Sequence, residues 1–145
     1  MVTYLVGTDG EEASATIAEF LSGVADPSDS VEVVNVLTNS DVDVAEAGEA
    51  ALTRFEAAFE VDADLRCRQL NRGRSPAEEM TAVAENVGAD RLVTGLRQHS
   101  RTERIISGSV SQSLIKRVDR PVTLVPLPSY TVAEEPDAST EPAGE

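Results

Sequence analysis

Hydrophobic residues recur along the chain in two rhythms. Residues 3–7, 31–37, 91–95 and 121–126 are short apolar runs rich in β-branched side chains, the pattern of strands buried on both faces of a parallel sheet. Between them, apolar positions fall three and four apart: Ala13, Ile17, Phe20, Leu21 and Val24; Gly48, Leu52, Phe55 and Phe59; Met80, Val83, Ala84 and Val87; Val110, Leu114 and Val118. That spacing gathers each set on one face of a helix. A further run differs, because Leu65, Cys67 and Gln69 alternate with Arg66, Arg68 and Leu70, which suits a half-exposed strand at a sheet edge. The last strand is bracketed by Pro121 and Pro126, and proline lacks a ladder donor, so it too belongs at an edge or at a strand's first residue. Strands 1, 2 and 4 inside and 3 and 5 outside predict an open five-stranded parallel sheet of order 3-2-1-4-5. Right-handed crossovers then place helices on both faces, an α/β fold.

Helix starts are legible. Asp9 with Glu12 forms one capping-box pattern, and Ser75-Pro76-Ala77-Glu78 forms another with proline at the first helical position. Residues 1–128 read as one domain. Residues 129–145 are acidic, proline-bearing and nearly free of core residues, so a disordered tail is expected there.

Composition then removes whole classes of function. A 145-residue chain is long enough to bury a core without staples, and a single Cys (Cys67) and a single His (His99) offer neither a disulfide framework nor a His-rich metal cluster. No apolar run reaches the length of a spanning helix and no targeting peptide is legible, so a cytoplasmic location away from membranes is expected. The net charge of −14 and 3% aromatic content argue against nucleic acid as a partner. The acidic excess with only Lys116 as lysine resembles proteins of salt-accumulating halophiles. Charge is also unevenly placed: residues 1–64 hold fifteen acidic side chains and one basic, whereas residues 65–128 hold six acidic and eleven basic. The basic half is where an anion would settle, unless its arginines only balance surface charge.

The segment after strand 4 carries the chemistry. Thr94 and Gly95 close the strand, Arg97, Gln98, Arg101 and Arg104 lie in the loop, and Gly108-Ser109-Val110-Ser111 opens a helix. In an open parallel sheet this is the carboxyl-end crevice, where helix N-termini present free N–H groups and a positive dipole end to phosphate. No Gly-x-Ser-x-Gly elbow, Gly-Lys-Ser/Thr phosphate loop or Cys-x-x-Cys pair is present, and neither His99 nor Cys67 has a neighbouring partner that suggests catalysis.

From residue 1 to about 126 the chain resembles the universal stress protein (UspA) family, with an adenine-nucleotide alpha-hydrolase-like fold. The resemblance rests on the opening strand that ends Gly7-Thr8-Asp9-Gly10, the alternating elements, the Gly-Ser-Val-Ser helix start and the closing Pro-Val-Thr-Leu-Val-Pro strand. Members that bind ATP carry Gly-x-x-Gly, nine residues, then Gly-Ser or Gly-Thr. Gly95, Gly108 and Ser109 match at that spacing, and Gln98 stands where the second Gly belongs, adding a side chain where the cradle should close. The resemblance implies that Asp9 meets the base or ribose and that Val36 packs against the base. It further implies phosphates, with any Mg²⁺ carried on them, between Gly95 and the Gly108-Ser109 helix start, and Arg97, Arg101 or Arg104 offers guanidinium forks to them. Helix capping by Asp9, Ser109 and Ser111, and plain core packing by Val36, stand beside these roles.

The expected function is that of a stress-response protein that binds adenine nucleotide (ATP) and signals through a partner protein, not an enzyme. The alternative is a dimeric adaptor with a degenerate nucleotide site. The resemblance also implies a homodimer through strand 5, for which Val122, Leu124 and Leu127 offer an apolar strip.

Overall fold

Among the described residues the elements run β1 (Thr3–Gly7), α1 (Glu11–Ser22), β2 (Ser30–Val36), α2 (Val42–Ala58), β3 (Asp64–Leu70), α3 (Pro76–Val87), β4 (Arg91–Leu96), α4 (Ser109–Arg117) and β5 (Val122–Pro126). The computed structural model describes residues 1–96 and 109–128, with side chains from 113 onward in the second segment. The expected tail, residues 129–145, lies outside the described residues.

All neighbouring strands pair in parallel, in the order β3-β2-β1-β4-β5. The inner strands are apolar on both sides because both sides are covered. Tyr4, Val6, Val31, Val33, Val93 and Val125 face α1 and α2, where they meet Ile17, Leu21, Leu52 and Phe55. Leu5, Val34 and Leu92 face α3 and α4, where they meet Met80, Val83, Ala84 and Leu114. Phe55 and Phe59 stack at 5.8 Å on the first side. β3 alternates between exposed and half-buried positions until Leu70, as an edge strand should.

Three expectations shift in detail. The buried stripe of α1 runs through Ala13, Ser14, Ile17, Ala18 and Leu21. Phe20 stands at its margin, 38% exposed, and Val24 lies past the helix end, so neither joins the core. The cap of α1 falls on Gly10 and not on Asp9, and Gly10 has no side chain to accept a bond. The α3 box forms as expected: Glu78 N–H donates to Ser75 Oγ at 3.2 Å and Ser75 N–H to Glu78 Oε1 at 2.9 Å. Finally, Leu127 is no part of an exposed strip. It is buried against the first core, because Gly95 leaves it room: a Cβ on Gly95 would stand 2.9 Å from Leu127 Cδ1.

Candidate functional site

The strand order reverses between β1 and β4, so the chain leaves the carboxyl ends of these neighbours in different directions and opens a crevice between them. Gly7, the last residue of β1, sits level with Val34 on one side and Thr94 on the other. Thr94 is buried and Gly95 half-buried, and α4 begins at Ser109 as the Gly-Ser signal predicted. The structure thus brings Gly7, Thr94 and Gly95 side by side at one end of the sheet. Val36, two residues beyond the partner of Gly7, stands at the same end. It is half-buried against the second core, which fits its packing role there. Arg97, Gln98, Arg101, Arg104 and Gly108 lie outside the described residues, as do the side chains of Ser109, Val110 and Ser111.

The loop after β1 is shaped from within. Thr8 N–H donates to the Val34 carbonyl at 3.0 Å, continuing the ladder one residue past the strand. Its hydroxyl donates to the Gly10 carbonyl at 3.0 Å and lies 2.7 Å from Ser14 Oγ. A hydroxyl has one proton, so Ser14 is the donor of that second bond. Thr8 is therefore buried and engaged in holding the loop, and Asp9 at its crest is exposed to solvent. An exposed carboxylate beside this crevice suits a base or ribose and repels phosphate.

Two residues that the sequence reading missed complete this arrangement. Asn35, 5% exposed, donates from Nδ2 to the Thr8 carbonyl at 2.9 Å. Gln69 Nε2 donates to Asn35 Oδ1 at 3.1 Å and to the Ala45 carbonyl of α2 at 2.9 Å. The available signal was periodicity: Val31, Val33 and Asn35 share one face of β2, and an amide in an inward series of valines needs a partner.

A separate cleft of about 480 Å³ opens at the ends of β2 and β3 beside the first turns of α2, with Leu37, Asn39, Asp41, Glu46, Glu49 and Gln69 in its lining. Its carboxylates disfavour phosphate. Elsewhere the chemistry is quiet. Burial, then the charges of Glu56 and Glu32, push the Cys67 thiol up to about 11, so it is protonated at neutral pH and a poor nucleophile. Among the described residues no cluster of His, Cys, Asp or Glu is arranged to hold a metal ion, and no helix is long and apolar enough to cross a membrane.

An open, doubly wound parallel sheet with its crevice at the strand-order reversal defines a class of α/β proteins that bind small ligands at the carboxyl ends of their strands. Within that class the particular family is plain: the universal stress protein family matches residues 3–126, and the chain belongs to it. The universal stress protein from Archaeoglobus fulgidus superposes with a TM-score of 0.66 at 25% identity, covering 86% of this chain and 98% of that one. The structure of the universal stress protein from the same organism in complex with dAMP gives 0.60 at 22% identity, over 86% and 98%. Stress response protein NhaX of Bacillus subtilis (strain 168) is 42% identical over 50 residues, 34% of this chain, and the match spans 30% of that protein's length.

Proposed function

We propose that this protein binds an adenine nucleotide at the carboxyl ends of β1 and β4 and acts through that binding on a partner protein, without turnover. The observation that carries the reading is the crevice itself. Gly7, Thr94 and Gly95 are adjacent where the strand order reverses, with the preformed Thr8–Gly10 loop on one side and the start of α4 on the other. The archaeal relative solved with dAMP supports an adenine nucleotide as the ligand class. On this reading Asp9 and Val36 receive the base and ribose. Gly95 and the Ser109 helix start receive phosphate, with the arginines between them in sequence as cationic partners. The residues fit this ligand at the base end, with an exposed carboxylate in the loop after β1 and a half-buried valine at the end of the neighbouring β2. At Gly95 the missing Cβ makes room for Leu127. ATP is the finer claim, and Mg²⁺ would arrive on its phosphates.

Titration calorimetry with AMP, and with ATP in the presence and absence of Mg²⁺, tests the reading. Expected are saturable binding, its loss in Gly108→Val, and tighter ATP binding in Gln98→Gly than in the natural protein. Gln98 is the one observation that favours a second reading, a dimeric adaptor with a degenerate site. That reading prevails if neither the natural protein nor Gln98→Gly binds any of these nucleotides. Pairing of two copies along the β5 edge belongs to both readings. A monomer by sedimentation at tens of micromolar would remove it.

A further inference from the structure

We propose that Asn35 is a positioning residue of the nucleotide site, holding the Thr8–Asp9 peptide in place and tying that loop, through Gln69, to α2. The claim rests on the nucleotide reading above and adds to it a residue that touches no ligand. Asn35 Nδ2 is bonded to the Thr8 carbonyl, and that carbonyl belongs to the peptide whose nitrogen is that of Asp9. Fixing its plane fixes the direction in which Asp9 leaves the loop, because a peptide unit is rigid.

The amide cannot turn away from this task. Its other end, Oδ1, accepts from Gln69 Nε2, and swapping oxygen for nitrogen would set donor against donor there and acceptor against acceptor at Thr8. Gln69 is pinned in turn by the Ala45 carbonyl of α2. Gly48 lets the helix come this close: a Cβ at that position would collide with Asn35 Oδ1 and lie 2.6 Å from Gln69 Nε2. The second turn of α2 therefore closes over both amides. A displacement of α2 reaches the Thr8 carbonyl through three hydrogen bonds in series, without passing through the apolar core.

The test is a double-mutant cycle between Asn35 and Asp9, read by AMP calorimetry together with amide hydrogen exchange at residues 8–10. If Asn35 acts through Asp9, Asn35→Ala weakens AMP binding about tenfold, the scale of one lost hydrogen bond. The double variant with Asp9→Ala is then no weaker than Asp9→Ala alone. Gln69→Leu, which leaves the Asn35 to Thr8 bond intact, should weaken AMP binding by a smaller factor and serves where Asn35→Ala does not fold. Exchange at residues 8–10 should quicken in both single variants. Unchanged AMP affinity with unchanged exchange, or additive losses in the cycle, would overturn the proposal. Failure of both the natural protein and Gln98→Gly to bind AMP or ATP would instead remove the nucleotide reading, and the exchange rates of residues 8–10 would still decide whether Asn35 holds the loop.

Discussion

Both faces of the sheet bury polar side chains, but of different kinds. Beneath α1 and α2 they are neutral: Asn35, Gln69, Thr8 and Ser14 form a connected set in which amide and hydroxyl donors meet acceptors at 2.7–3.1 Å. Beneath α3 and α4, apart from the Thr94 hydroxyl, they are charged. Glu79, fully buried, takes two parallel bonds of 2.9 Å from the half-exposed guanidinium of Arg72. Glu32, on the same side of β2 as Val34, has Arg68 Nε at 3.6 Å and one buried oxygen with no hydrogen-bond partner among the described residues. Neutral groups lose little on leaving water once paired, so their set is indifferent to pH. Charges lose more, and their contribution depends on protonation and on the partner staying in place. The neutral set adjoins the candidate nucleotide loop, and the charged set lies beneath the opposite helices.

The largest effects should not distinguish the faces at all. Truncating a buried apolar anchor removes transfer energy and leaves a cavity on either side. Phe55→Ala should therefore cost about 3 to 5 kcal/mol and Met80→Ala about 2 to 5 kcal/mol in urea unfolding. A marked excess on one face would mean that the cores differ in more than their polar content.

The polar substitutions come next and should separate the faces by pH. Asn35→Leu leaves the Thr8 carbonyl and the Gln69 amide without their partner and should cost about 1 to 3 kcal/mol, equally at pH 7 and pH 5. Arg72→Met strands a buried carboxylate and should lower stability at pH 7, less than loss of a fully buried partner would because half of the arginine lies in water. That cost should shrink on acidification as Glu79 takes up a proton. Equal pH behaviour of the two variants would erase the distinction.

The natural protein should show the same contrast more gently. Hydrogen bonds from Arg72 hold the Glu79 carboxyl below its ordinary value of 4.5, so folding favours the ionised form. The stability it supplies is complete above that ordinary value and drains away as pH falls through the lower folded value. Glu78 in the α3 cap is shifted the same way by its bonds to Ser75, so the comparison is with Glu79→Gln at constant Glu78. Thermal melts between pH 6 and pH 3 should fall less steeply for Glu79→Gln than for the natural protein.

Smallest of all should be Glu32→Leu. A carboxylate with one unsatisfied oxygen and a loose 3.6 Å ion pair recovers little of its desolvation cost, so an apolar side chain there should change stability by about 1 kcal/mol or less, or raise it. A loss above about 2 kcal/mol would show that Arg68 holds Glu32 more firmly than this distance suggests.

The sequence by itself determined the strand order, the paired edge strands, the α3 capping box and the start of α4. Each of these is local: a period of two or 3.6, a proline that cannot donate, a serine three residues before a glutamate. It also located the crevice, because the glycines and Asp9 fall at strand ends that any doubly wound sheet gathers together. Tertiary structure alone decided which of these residues face what. Thr8 turned inward to Ser14 and Gly10, Gly95 made room for Leu127, and Leu127 left the edge for the core. Asn35 found its partners in the loop after β1 and on β3, Thr8 twenty-seven residues away and Gln69 thirty-four residues away. No pattern within a single strand or helix encodes such a pairing, since the geometry that closes it exists only once β1, β2, β3 and α2 have packed.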